Sequence, residues 1–385
     1  MIYLDYAATT PVDLVVQATI GHALAESYGN PSATYQLGKN VKTKLLQARQ
    51  QLRDFLQVPE EGQVYFTSGA TEAINWAITS QAHQARQLNK GNHIVTTSIE
   101  HSAVNKTLAQ LEKQGFQVTR IQPNPETKQF SLDQFIQATT NQTIGWTAMA
   151  VNNETGSQLP IKELGLYAKE HDLWFHVDAT QAVGYQSTSF EDLPCTSYCG
   201  SGHKFYAPKG IGFLVYQPWQ ENMPLEPLLV GGGQEYNMRA GTENIPYIIG
   251  MVQAVKLMDQ LRTELQETFQ DLTQYFFQQL DQAGLDYQRN GDIKNHNHRI
   301  HNIWLKGQLA SQVLIKLDLQ EIYISAGSAC SAGSIKPSRV LKAYYPDNEA
   351  LWGQSLRISF GKYTTKKEID SLVQALKDIN QSKEE

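Results

Sequence analysis

The chain has 385 residues, with 38 acidic against 32 basic side chains and a formal net charge of −6. No basic excess is available to neutralise phosphates, which excludes a nucleic-acid-binding surface. Hydrophobic residues make up 41% and charged residues 18%, a composition and length suited to two globular domains. No apolar run approaches the ~20 residues that a membrane helix needs. The opening "MIYLDYAATTPVD" lacks the basic and apolar regions of a secretory signal and reads as structure. Three cysteines (Cys195, Cys199 and Cys330) do not make a disulfide framework. The expected compartment is the cytoplasm, with the thiols reduced.

In chain order, strand and helix patterns alternate. "QVYFTSG" reads as a strand running into the helix "ATEAINWAITSQAHQ", and "NHIVTTS" as a strand before a helix that starts near "EHSAVNKTLAQL". "FQVTRIQ" is a third strand. "SLDQFIQAT" then opens a helix with a capping box, Ser131 and Gln134. "TIGWTAMAV" precedes "PIKELGLYAKEHD", a helix with proline at its first position, and "LWFHVDA", "TSYCGSG" and "GIGFLVY" continue the strands. From "IPYIIGMVQAVK" to "QQLDQAG" runs one long helical pattern, expected to bend or break once. Shorter elements follow: "IHNIWLK", "LASQVLIKLDL", "IYISAGSAC", "SLRISFG" and a terminal helix. The expected fold is α/β: a large domain over residues 15–255 with a mostly parallel sheet between helices, and a smaller C-terminal α/β domain over 256–385, joined by residues 1–14.

Open α/β sheets hold ligands beyond the carboxyl ends of their strands, so the chemistry is sought where strands end. In "TSGATEA", Ser68, Gly69, Ala70 and Thr71 would let a phosphate approach a helix N-terminus, although a plain strand-to-helix turn reads the same. In "HVDATQ", Asp178 ends an apolar strand, where a carboxylate is costly unless a cation meets it; a helix-capping role is the alternative. In "GSGHKFYAPKG", Lys204 follows another strand, and burial there would free its amine as a nucleophile toward an aldehyde. A phosphate cradle, a buried aspartate and a strand-end lysine together suit pyridoxal 5′-phosphate. His101, at a further strand end, could stack on the pyridine ring and move protons, or be an ordinary histidine.

At this point the chain closely resembles the cysteine desulfurases of the NifS/IscS group, within the fold-type-I pyridoxal-phosphate enzymes. The segments "YLDYAATTPVD", "YGNPSA", "FTSGATEA", "EHSAV", "VNNETG", "HVDATQ", "SGHKFYAPKGIG", "GGGQE…MRAGTEN", "SAGSACSAG" and "LRISFGKYTT" stand in family order over nearly the whole length. The resemblance implies that Lys204 forms the Schiff base, Asp178 meets the pyridinium nitrogen and Gln181 bonds the ring hydroxyl. It implies that His101 stacks on the cofactor, that Ala70, Thr71, Ser201 and His203 hold the phosphate, and that Thr242 reaches in from the partner of a homodimer. Asn153 would lie near the cofactor hydroxyl and the substrate, while Arg357, assisted by Asn30, would grip the carboxylate of L-cysteine. Cys330 would be the nucleophile that takes the sulfur as a persulfide. L-alanine would be released and the sulfur passed to an iron–sulfur scaffold or another acceptor protein.

The residues themselves agree on Cys330: its neighbours in "ISAGSACSAGSIKPS" are small and predict a mobile loop, whereas Cys195 and Cys199 read as buried packing residues. Tyr236 stands where the group often has arginine. The run "KNHNHRIH" carries His296, His298 and His301, but no carboxylate or cysteine beside them supports a metal site, and none is expected. Two rivals remain open from the sequence. One is an aminotransferase or selenocysteine lyase on the same fold; the other is an inactive subunit that only docks partners.

Overall fold

The computed structural model describes residues 1–219, 223–326 and 337–381. A seven-stranded sheet forms its centre. Its strands are β2 (Gln63–Thr67), β3 (His93–Thr97), β4 (Gln117–Ile121), β5 (Thr143–Met149), β6 (Trp174–Asp178), β7 (Ser197–Ser201) and β8 (Gly212–Tyr216), in the order β2-β8-β7-β6-β5-β3-β4. The pairs from β7 through β4 are parallel, and β8 runs antiparallel between β7 and β2. Strands β3, β5, β6, β7 and β8 are buried along their whole length, as strands of a mostly parallel sheet covered on both faces are. Helices α3 (Ala70–Gln87), α4 (Ser102–Lys113), α5 (Leu132–Ala138) and α6 (Ile161–Glu170) make the crossovers. The capping box at Ser131 and Gln134 is present. Pro160 sits at the N-cap of α6, one position earlier than the expected first helical residue.

Preceding the sheet, β1 (Ile2–Tyr3), α1 (Leu14–Glu26) and α2 (Gln36–Phe55) bring the N-terminus across the molecule. The long pattern forms α7 (Ile245–Gln282) as one helix of 38 residues without the expected break. Within it, Gly250 serves packing: a Cβ there would lie 2.4 Å from Ile20 Cγ1 of α1. Beyond α7, strands β9 (Tyr287–Arg289), β10 (Ile300–Leu305) and β12 (Ser355–Ser359) form an antiparallel sheet in the order β12-β10-β9. Helices α8 (Ala310–Asp318), α9 (Arg339–Tyr344), α10 (Glu349–Gln354) and α11 (Lys366–Gln381) surround it. Among the described residues of "IYISAGSAC", β11 covers Ile322–Tyr323 and pairs in parallel with β1. Through that pair, and through the bridge between Asp5 and Ser359, the first residues of the chain lie against the C-terminal elements. Aspartate 5 and the alanines that follow are thereby carried to the carboxyl edge of the large sheet.

Candidate active site

The carboxyl ends of β2, β3, β5, β6 and β7 open on one cavity of about 810 Å³. Ala70, Thr71, His101, Asn153, Asp178, Gln181, Ser201, His203, Lys204 and Arg357 all line it. Ten of the residues singled out in the sequence thus converge, although they span Ala70 to Arg357. Two do not. Asn30 is exposed and uses its side-chain oxygen to accept from the N–H of Ser32 at 2.9 Å, while Thr242 is exposed on the loop before α7 and does not line this cavity. Cys330 lies outside the described residues.

Lys204 closes a short 3₁₀ turn directly after β7, and its Nζ donates to the carbonyls of Ala7 and Ala8 at 2.7 Å each. Burial pulls its pKa down to about 7; the cations Arg357 and Arg299 push the same way, against Asp5 and Asp178. A large fraction of the amine is therefore unprotonated at neutral pH, the state a nucleophile or base requires. Asp178, the last residue of β6, is 5% exposed, and its Oδ1 accepts from Thr180 N–H at 3.0 Å. Among the described residues no lysine or arginine pairs with it. A buried carboxylate without a cationic partner is costly, and the protonated nitrogen of a pyridine ring would remove that cost.

The opposite wall suits an anion. Gly69 is the N-cap of α3 and contributes no side-chain cap, which leaves the leading N–H groups of the helix open to a phosphate. Gly212 of β8 packs directly beneath: a Cβ there would lie 2.6 Å from Gly69 Cα, so a side chain would displace the cradle. Burial, with Lys204 and Lys209 nearby, pulls His203 down to about 4, so its ring is neutral. Its Nδ1 pairs with the hydroxyl of Thr9 at 3.1 Å. His101 caps α4 by accepting from Ala103 N–H through Nδ1 at 3.2 Å, which leaves the proton of the neutral ring on Nε2. Its pKa is also lowered, chiefly by burial. Arg357, at the middle of β12, donates from Nη2 to Asp5 Oδ1 at 2.8 Å and from Nη1 to the Asn153 carbonyl at 3.0 Å. Its buried Nε has no acceptor among the described residues, and the side chain lines the cavity. The donor set, the phosphate cradle and the unpaired aspartate together fit pyridoxal phosphate.

Several groups at the site carried no sequence signal of their own. Asp5 pairs with Arg357; Glu100 and Glu154 line the cavity as buried carboxyl groups raised by burial, Glu100 to about 8. Arg339 also lines it and donates to the Glu100 carbonyl. Glu100 and Glu154 sit inside the quoted segments "EHSAV" and "VNNETG", so their position was legible and their protonation was not. Cys195 and Cys199 are fully buried, and burial pushes both thiols upward, which removes them as nucleophiles. His296 and His301 stack at 5.0 Å, and His296 Nε2 meets the Thr155 carbonyl at 3.1 Å. Among the described residues, no group of histidine, cysteine and carboxylate side chains is arranged to hold a metal ion. Tyr236 lies with its ring centroid 5.2 Å from the Arg49 guanidinium, so a cation stays near that position although the residue itself is aromatic.

Residues 2–372 match the Aminotransferase class-V family. The cysteine desulfurase IscS of Methanosarcina thermophila is 38% identical over 380 residues, covering 99% of this chain and 92% of that one. Among solved structures, a NifS-like protein superposes with a TM-score of 0.89 at 28% identity, covering 99% of both chains. SspA, solved in complex with cysteine, gives 0.80 at 33% identity over 95% of this chain and all of the other. The chain belongs to the class-V aminotransferase family and, within it, to the pyridoxal-phosphate-dependent cysteine desulfurases of the NifS/IscS group.

Proposed function

We propose that the enzyme takes sulfur from L-cysteine, releases L-alanine, and carries the sulfur as a persulfide on Cys330 to an acceptor protein for iron–sulfur cluster assembly or thiolation. The observation that carries the residue assignments is the cavity in which a lysine about half unprotonated at neutral pH, an unpaired buried aspartate and an arginine meet. Pyridoxal phosphate, when bound, supplies the electron sink that makes the Cα proton of the amino acid removable. Asp178 would hold it through the ring nitrogen, Gln181 through the ring oxygen, and Ala70, Thr71, Ser201 and His203 through the phosphate.

Arg357 and Asn153 orient the substrate, Arg357 receiving the carboxylate. Lys204 then takes the proton from Cα, and its pKa of about 7 lets it give the proton back in the same turnover. The Cys330 thiolate attacks the substrate sulfur. The S–S bond forms as the Cβ–S bond breaks, and the electron pair of the broken bond stays with carbon. Protonation of that carbon, by Lys204 with His101 Nε2–H as a second donor, yields alanine. The balance is closed: L-cysteine and a thiol give L-alanine and a persulfide, with no external oxidant or reductant.

The same reading makes the enzyme a cytoplasmic homodimer in which Thr242 of each subunit serves the other's phosphate. Its exposure on a loop outside its own cavity supports this. No helix of the described residues is long and apolar enough to cross a membrane. Incubation with L-cysteine and a reductant tests the reaction. Equal amounts of alanine and sulfide, without any keto acid, are expected. Alanine that appears only when a keto acid is added would make the protein an aminotransferase instead.

A further inference from the structure

Directly behind Gln181, away from the cavity lining, lies Arg299. It immediately precedes β10, is 1% exposed, and has no carboxylate partner among the described residues. Its Nη2 donates to Gln181 Oε1, the Tyr185 ring centroid lies 4.0 Å from its Cζ, and its Nε and Nη1 have no acceptor among the described residues. A buried guanidinium satisfied by one amide and one ring is expensive, and a packing role alone would be met better by an apolar side chain. Its surroundings suggest what it does.

Guanidinium only donates, so the Gln181 atom it meets must be the amide oxygen. The other end of the amide meets the Ala7 carbonyl at 3.0 Å, which only accepts, so that atom must be nitrogen. The amide is thus orientated from both sides. The same Ala7 carbonyl also accepts from Lys204 Nζ at 2.7 Å. One relay therefore runs from Arg299 through Gln181 and Ala7 to the lysine.

We propose that Arg299 is a positioning residue of the active site. By occupying Gln181 Oε1 it commits the amide to present N–H to the cofactor, and its uncompensated charge adds to the positive potential at Lys204. This rests on the assignment of Gln181 to the ring oxygen. With only N–H to offer, Gln181 favours that oxygen in its anionic form. Around Lys204 the other charged groups are Arg357 and Asp5, paired at 2.8 Å, and Asp178, with the imidazoles of His101 and His203 neutral. Arg299 is the buried cation of this set that no carboxylate offsets.

The test compares wild type with Arg299→Lys, Arg299→Gln and Arg299→Met, all full length. In the cofactor-free proteins, acetylation of Lys204 by acetic anhydride is followed by mass spectrometry across pH. The wild-type midpoint should fall near about 7. Arg299→Lys should keep it, and the two neutral variants should raise it. A rise of ~1 unit takes the unprotonated fraction at pH 7 from about half to about a tenth, a roughly fivefold slower labelling. In a second measurement, equilibrium dialysis of pyridoxal phosphate should show Arg299→Met weakening the affinity roughly fivefold, about one hydrogen bond. In a Gln181→Ala background the same substitution should cost nothing further. An unchanged Lys204 midpoint in both neutral variants would overturn the electrostatic role, and equal losses in both backgrounds would overturn action through Gln181. The labelling needs no cofactor, so it is judged apart from the cofactor assignments. Those fail separately if Lys204→Ala and Gln181→Ala bind pyridoxal phosphate like wild type.

Discussion

Glu100→Gln isolates a charge that the fold refuses. Glu100 is fully buried beside His101; its Oε1 accepts from the Thr97 hydroxyl at 2.6 Å and from Met149 N–H at 3.1 Å, and its Oε2 has no partner among the described residues. Burial, aided by the Asp178 charge, raises its pKa from 4.5 to about 8, so at neutral pH it is mainly the uncharged acid. An acid whose folded pKa lies above its unfolded one keeps its proton on folding, so its stabilising share is complete below pH 4.5 and is lost progressively up to about 8. At ~1.36 kcal/mol per unit the full span is about 5 kcal/mol, an upper limit that local relaxation should reduce to roughly 2–4 kcal/mol. Glutamine keeps both acceptor bonds and has no proton to lose. Urea midpoints of the variant and wild type should therefore agree closely at pH 5 and separate in favour of the variant at pH 9, beyond the titration. An equal difference at the two pH values would refute the reasoning, as would a variant already several kcal/mol weaker at pH 5.

Lys204→Ala should abolish turnover and replace the Schiff-base absorbance of the loaded protein with that of the free aldehyde, while phosphate contacts still retain some cofactor; normal turnover would remove the lysine from the chemistry. Arg357→Lys should raise KM for cysteine on the order of ten- to a hundredfold, from a lost bidentate contact worth roughly 1.5–3 kcal/mol, with cofactor affinity little changed. An unaltered KM would release Arg357 from the substrate. Sedimentation should give a two-fold dimer, and Thr242→Ala should weaken cofactor retention although Thr242 is outside its own chain's cavity. A fully active monomer would dismiss the shared site.

Much of this site was legible because it is built at strand ends. Asp178 ends β6, and His101 and Lys204 stand just beyond β3 and β7, strands that are buried along their whole length. The expected break in α7 is absent, and the close approach of Ile20 at Gly250 that packs the unbroken helix is a tertiary fact. Arg299 was hidden for the same reason. In "NHNHRIH" it stands among histidines, and only the packing of the C-terminal elements against Gln181 gives it a task. Asp5 likewise acquires its role from the bridge that ties the N-terminus to β12. Protonation states were beyond reach too, because Glu100 differs from any surface glutamate only in what surrounds it.

In the proposed mechanism, sulfur leaves cysteine on Cys330. Mass spectrometry of the enzyme after one turnover with L-cysteine, before any reductant is added, addresses it most directly. One added sulfur atom is expected on the peptide that carries Cys330, with one alanine released per site. Cys330→Ala should still bind the cofactor and still bind cysteine, but should form no persulfide and essentially no alanine. Cys195→Ala and Cys199→Ala, which alter thiols that burial keeps protonated, should remain active. Sulfur found on another cysteine, or normal turnover by Cys330→Ala, would contradict the account.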